Sequence, residues 1–200
     1  MRPKRPFAWC ATAVLAVSLT GLPFTFSQEK PKDYAAQDEY AKLLPLLSKS
    51  KQTLAAGVQQ AAAKSPEAAI SAKFELDDDG KLSLSVYTAE KGLGVDAEHN
   101  VLKEVAGSPE VQPWKTEVEV FKDVEHVARA SEQLTLMALS KFSLLDIIKK
   151  AEKDQPGTVF SITPVLRERK PQFVVLVAAE GKVVELAYDL MTGENVKPKK

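Results

Sequence analysis

Two hundred residues at 21.8 kDa, 44% of them hydrophobic and 27% charged, describe a globular chain of one or two domains rather than a disordered one. Lysine and arginine number 27 against 27 acids, but Arg2, Lys4 and Arg5 lie in an acid-free opening stretch, so residues 28–200 carry 24 bases against 27 acids. That sign excludes a protein that neutralises a nucleic-acid backbone with a basic face.

The basic start leads into an apolar run from Phe7 to Leu22, then Pro23 and the small-residue site Thr25-Phe26-Ser27. Basic, apolar and small in that order predict a secretory signal peptide over residues 1–27, cleaved before Gln28. A retained membrane anchor is the competing reading, but the run is short for a bilayer and contains Thr12, Ser18, Thr20 and Gly21. Cys10 precedes most of the apolar run, where a lipidation cysteine should follow it. It is also the one cysteine of the chain, so the mature protein is expected to hold no disulfide, no thiolate nucleophile and no cysteine-bound metal. The expected product is a soluble extracytoplasmic protein, periplasmic or secreted.

Along the mature chain, Asp33–Ser48 is rich in Ala, Leu and Lys and reads as a helix that Pro45 breaks. Thr53 caps a second helix reaching Lys64, which Ser65-Pro66 stops. Ile70, Ala72, Phe74 and Leu76 then alternate with polar residues, Asp77-Asp78-Asp79-Gly80 turns the chain, and Leu82, Leu84 and Val86 return, a hairpin pattern. Ser83 and Ser85, on the other side of the returning strand, are placed in water. Residues 107–121 follow as a linker, with Thr116–Phe121 alternating as a strand. Val124–Leu139 is helical, and Ser143 with Asp146 has the spacing of a capping box for a helix to Lys153. Strands are expected near 159–166, 172–178 and 182–189, with Pro164 pushing the first toward a sheet edge or bulge.

The chain also matches itself at a spacing of 90: Leu44 with Leu134, Ser50 with Ser140, Thr53 with Ser143, Leu54 with Leu144, Pro66 with Pro156 and Ile70 with Phe160. A further shift of three lays Asp96 on Asp189. The fold class this predicts is α+β, built as two repeated helix-on-antiparallel-sheet units over 33–106 and 122–197.

The second unit resembles a PepSY domain. The likeness rests on Ser143-Leu144-Leu145-Asp146-Ile147-Ile148-Lys149-Lys150-Ala151, on the helix-then-strands order, and on Tyr188-Asp189-Leu190-Met191-Thr192-Gly193-Glu194-Asn195-Val196. There Gly193 is suited to positive φ and Asp189 to accepting backbone N–H groups. The first unit is a more degenerate copy, in which Asn100 of Asp96-Ala97-Glu98-His99-Asn100-Val101 takes the glycine's left-handed role. The resemblance implies a non-catalytic module of the kind found in propeptides of secreted metallopeptidases, where it restrains or chaperones a peptidase.

No constellation of residues declares a chemistry. Glu75, Asp77, Asp79 and Gly80 open like a calcium loop, but the twelfth position is Val86, so a solvated turn is expected. His99 and His126, the only histidines, read as surface residues, and Gly92 and Gly94 as loop. Arg167-Glu168-Arg169-Lys170 and the lysine-rich tail read as solvated. No catalytic residue, cofactor or metal site is predicted. Val174, Leu176 and Ala178 are read as the inward row of their strand. Phe173, Val175 and Val177, grouped with Val183, then form a second apolar row needing cover, either from the chain itself or from a docked partner. The function expected is therefore a secreted, non-enzymatic module binding another extracytoplasmic protein. A module for a small ligand or metal is the alternative.

Overall fold

The computed structural model describes residues 39–196. A helical stretch over 39–43 runs into a tight 3-10 segment, Leu44–Lys49, where Pro45 denies the backbone a donor. Three α-helices follow along the chain: α1 (Leu54–Ala61), α2 (Val124–Leu139) and α3 (Leu144–Asp154). Seven strands complete it: β1 (Ala68–Leu76), β2 (Leu82–Ala89), β3 (Leu102–Gly107), β4 (Glu117–Val120), β5 (Thr158–Arg167), β6 (Lys170–Ala179) and β7 (Lys182–Asp189). They form one antiparallel sheet in the order β4-β3-β2-β1-β5-β6-β7. The protein is α+β, as the periodicities predict.

Local chemistry starts each helix. Thr53 Oγ1 accepts from Ala56 N at 3.1 Å to begin α1, and Asp123 Oδ1 accepts from His126 N at 3.0 Å to begin α2. At α3, Ser143 and Asp146 complete the reciprocal capping box, with Ser143 N donating to Asp146 Oδ2 at 2.9 Å. Helix α1 stops at Ala61, one turn before Lys64.

One face of the sheet carries Phe74, Leu84, Val86, Ile162, Phe173, Val175, Val177 and Tyr188, all buried, beneath α1 and α3. A Cβ at Gly57 would stand 2.4 Å from Leu84 Cδ2, so glycine is what lets α1 lie so close to β2. Helix α2 crosses the opposite face, where Ser71 Oγ donates to Gln133 Oε1 at 2.8 Å in a buried contact. That crossing corrects the placement of Ser85, which is fully buried with its hydroxyl donating to Glu104 Oε1. Alternation alone could not reveal it, because a polar row can be covered when its partners are polar too.

The row assignment in β6 is also corrected. Phe173, Val175 and Val177 are fully buried in the main core, whereas Val174, Leu176 and Ala178 are the half-buried row. The bulge between Val159 and Ser161 and the tight Glu180-Gly181 turn set this register. The turn pairs Ala178 with Val183 and Val177 with Val184, so Val183 points to the sheet face opposite Phe173, Val175 and Val177.

Three further expectations change. Strand β5 is interior, and its bulge lies at Phe160 rather than Pro164; Pro164 stands beyond the short Ala72–Lys73 pairing with β1. Asp96 lies in the loop before β3, while Asp189 closes β7, so the long 90–101 loop breaks the shifted alignment. The partner of Asp189 by position is Ser108, whose Oγ accepts from Glu110 N as Asp189 Oδ1 accepts from Met191 N. Asn100 keeps an ordinary φ and works through its side chain, donating to Gly92 O and Val95 O at 2.9 and 3.0 Å.

Several features recur 90 residues apart. Each half runs helix, then three antiparallel strands, and β1 meets β5 with Ala72 opposite Ile162. Bulges fall between Ala69 and Ser71 and between Val159 and Ser161. Ser50 and Ser140 each bond both ways with the backbone two residues on.

Candidate functional site

An apolar cleft of about 330 Å3 lies where α1, α2 and α3 meet the first strand. Ala68 and Ala69 of β1 floor it, Val58 of α1 and Ala62 just past its end form one wall, and Met137, Leu144 and Leu145 form the other. Leu93 reaches over from the loop between β2 and β3. Its only polar lining comes from Gln59 and Ser143, and no titratable side chain enters it. Small residues at the floor leave the space, and Met137 supplies a wall that adapts to shape. The position follows from the caps: Ser143 starts α3 sharply after α2 ends at Leu139, which opens the angle between them.

A second cleft, also about 330 Å3, occupies the place 90 residues away, with Leu47, Leu54 and Val159 where the first has Met137, Leu144 and Ala69. Its rim is polar, with Ser50, Thr53 and Glu152. The two clefts share a build and differ in chemistry.

Ser143, Leu144 and Leu145 line the first cleft and Thr53 the rim of the second, but the candidate site residues singled out in the sequence converge on neither. Phe173, Val175 and Val177 sit under α3 and offer no surface, which removes them as a docking row; Val183 is half-buried on the far face. Asp77 is engaged by its own turn, accepting from Asp79 N at 3.0 Å and Lys81 N at 2.8 Å. Asp96, Glu98 and His99 could each bring a ligand atom within 4.8 Å of the others, but all three are exposed. Asp96 Oδ1 already accepts from His99 N at 3.1 Å, and hydrogen bonds from His99 hold its carboxyl below the usual range. His126 stacks on Phe121 at 5.3 Å, and Phe121 meets the Tyr87 ring edge-on at 4.7 Å. Burial pushes the Tyr87 hydroxyl up to about 12, and burial with the Asp154 carboxylate likewise raises that of Tyr188, so both stay protonated.

The tail of the second half is a structural turn. Gly193 takes φ 67°, Asp189 Oδ1 accepts from Met191 N and Thr192 N at 2.9 Å each, and Lys150 donates to Gly193 O. Those backbone donors hold the Asp189 carboxyl below its ordinary value.

The cleft escaped the sequence because four segments far apart in the chain build it. The one signal was indirect: Ala68-Ala69 and Ala61-Ala62-Ala63 cluster small residues where larger ones would fill the core.

No protein-family model matches the chain, and no curated protein matches it. Among solved structures, a protein of Clostridium difficile 630 provisionally assigned as a lipoprotein is similar at a TM-score of 0.35 and 15% identity, over 64% of this chain and 79% of that one. A likeness that loose transfers neither fold nor function. No helix among the described residues is long and apolar enough to cross a membrane.

Proposed function

We propose that this chain is an extracytoplasmic, non-enzymatic module that binds another protein by taking an apolar side chain into the cleft between α1, α2 and α3. The observation that carries the reading is the cleft itself: an apolar concavity of about 330 Å3, open to solvent, without a titratable group for chemistry. An inserted leucine or aromatic ring would exchange water for Val58, Leu93, Met137 and Leu145, a contact favourable by about 25 cal/mol per Å2 of apolar surface. The basic, apolar and small order of residues 1–27 supports export, and the PepSY likeness of Ser143–Ala151 and Tyr188–Val196 supports a peptidase as partner. Matching bulges, serine turns and caps 90 residues apart support an origin by duplication of one helix-and-sheet unit.

Leu145→Glu tests it. The position is the second residue of α3, where a carboxylate favours the helix and offsets part of the core packing that Leu145 gives up, so the change charges the cleft at a modest cost to the fold. Tagged protein and variant are used for affinity capture from envelope and medium, with far-UV circular dichroism as the folding control. A partner retained by the parent and lost with Leu145→Glu supports the cleft. A partner held equally by both sinks it. A small apolar molecule recovered in place of a protein would favour the small-ligand alternative, which the volume also accommodates.

A further inference from the structure

Strand β4 is exposed at all four residues, and among the described residues its outer side pairs with no strand. Phe121, one step beyond the ladder, donates its N–H to Leu102 O at 3.1 Å. Antiparallel partners alternate between hydrogen-bonded and open pairs. Glu119 opposite Glu104 and Glu117 opposite Ala106 therefore turn their backbone groups toward β3. Val118 and Val120 turn theirs to the free edge. Proline, lysine and a bulge are absent from Glu117–Val120, so the edge is guarded by its shortness and by its two glutamates, a guard that a basic segment would neutralise.

The side chains divide by face. Val118 and Val120, 58% and 44% exposed, lie on the side of α1. Glu117 and Glu119 lie on the side of α2, with Glu119 directly opposite Glu104. Like charges opposite one another repel. Lys115 and Lys122 flank the strand at its ends, so the row itself stays acidic.

We infer that β4 is a docking edge for an extended segment of a partner protein in which apolar and basic residues alternate. The segment adds as an eighth strand: its backbone meets the free N–H and C=O groups of Val118 and Val120, its apolar residues cover those valines, and its lysines or arginines neutralise Glu117 and Glu119. A second copy of this chain fits worse. Antiparallel self-pairing with Val118 opposite Val118 brings Glu117 over Glu119, adding carboxylates to a row that already repels. The inference extends the protein-binding reading to a separate surface and does not use the cleft.

The probe is a fluorescein-labelled peptide alternating lysine and valine, with an alternating glutamate-valine peptide as control, followed by fluorescence anisotropy on the full chain. The basic peptide should bind at least about tenfold more tightly than the acidic one and weaken as salt is raised. Val118→Pro removes a donor that faces the open edge and none that faces β3, so it should abolish binding while circular dichroism and cooperative unfolding match the parent. Leu145→Glu should leave peptide binding unchanged, which separates failure of the edge from failure of the cleft. No binding, equal binding of both peptides, or binding that survives Val118→Pro overturns the inference. So does a dimer in sedimentation that Val118→Pro converts to monomer, since the edge would then belong to a second copy.

Discussion

Val175 decides whether the β6 row is core or surface. Its side chain is fully buried, opposite Ile162 on one side and Leu186 on the other, beneath α3. Val175→Ala removes two carbons, about 1.6 kcal/mol of transfer free energy at roughly 0.8 kcal/mol per methylene. The void left adds about 1 kcal/mol if on the order of 50 Å3 stays unfilled, at about 24 cal/mol per Å3. The sum, about 2–3 kcal/mol, is a large share of a typical domain stability of about 5–15 kcal/mol. Val183→Ala, half-buried on the other face, should cost under about 1 kcal/mol because less area leaves water and the site can relax. Urea unfolding followed by circular dichroism measures both, with an unchanged denaturant slope as the check on two-state behaviour. Val175→Asp would bury an unpaired carboxylate and should abolish the cooperative transition. A folded, cooperative Val175→Asp protein, or equal costs at 175 and 183, would refute the burial argument.

Two other outcomes follow from buried and capping polar groups. Ser71→Ala strands the Gln133 side chain in the interior and should cost about 1–3 kcal/mol, whereas Ser71→Ala combined with Gln133→Leu should recover most of it; equal instability of single and double variants in chemical denaturation would argue against that bond. The Asp146 carboxyl, held below its ordinary value of 3.8 first by Ser143 Oγ and then by its N–H, stabilises the folded state above that value. Its contribution is lost as pH falls through the depressed folded value, because the unfolded chain takes up the proton first. Thermal melts from neutral to acid should show the decline, and Asp146→Asn should flatten part of it; an unchanged acid limb would remove the capping box as its cause.

Local chemistry was legible where neighbours in sequence decide it. Ser143 with Asp146, Thr53, the Asp77–Gly80 turn and the Asp189–Gly193 turn all close within a few residues, so their caps and left-handed positions could be read directly. The alternation of β1, β2, β5, β6 and β7 was legible too, and with it the α+β class. Strand β3 was passed over because Leu102–Gly107 shows little alternation and gains its identity from β2 beside it.

The sequence by itself thus determined most of the segments and the caps that start the helices, since these depend on hydrogen bonds and rotamers spanning one or two turns. Tertiary structure alone decided which faces β6 and β7 bury and what covers the polar side of β1 and β2. One bulged residue in β5 and a two-residue turn after β6 put Val175 in the core and Val183 on the opposite face, and α2 lies over Ser71 and over Ser85, which alternation assigned to water. The cleft and the open edge of β4 belong to that second level. Each exists because distant segments meet, or fail to meet, in space, and pairing across such separations leaves no period in the chain.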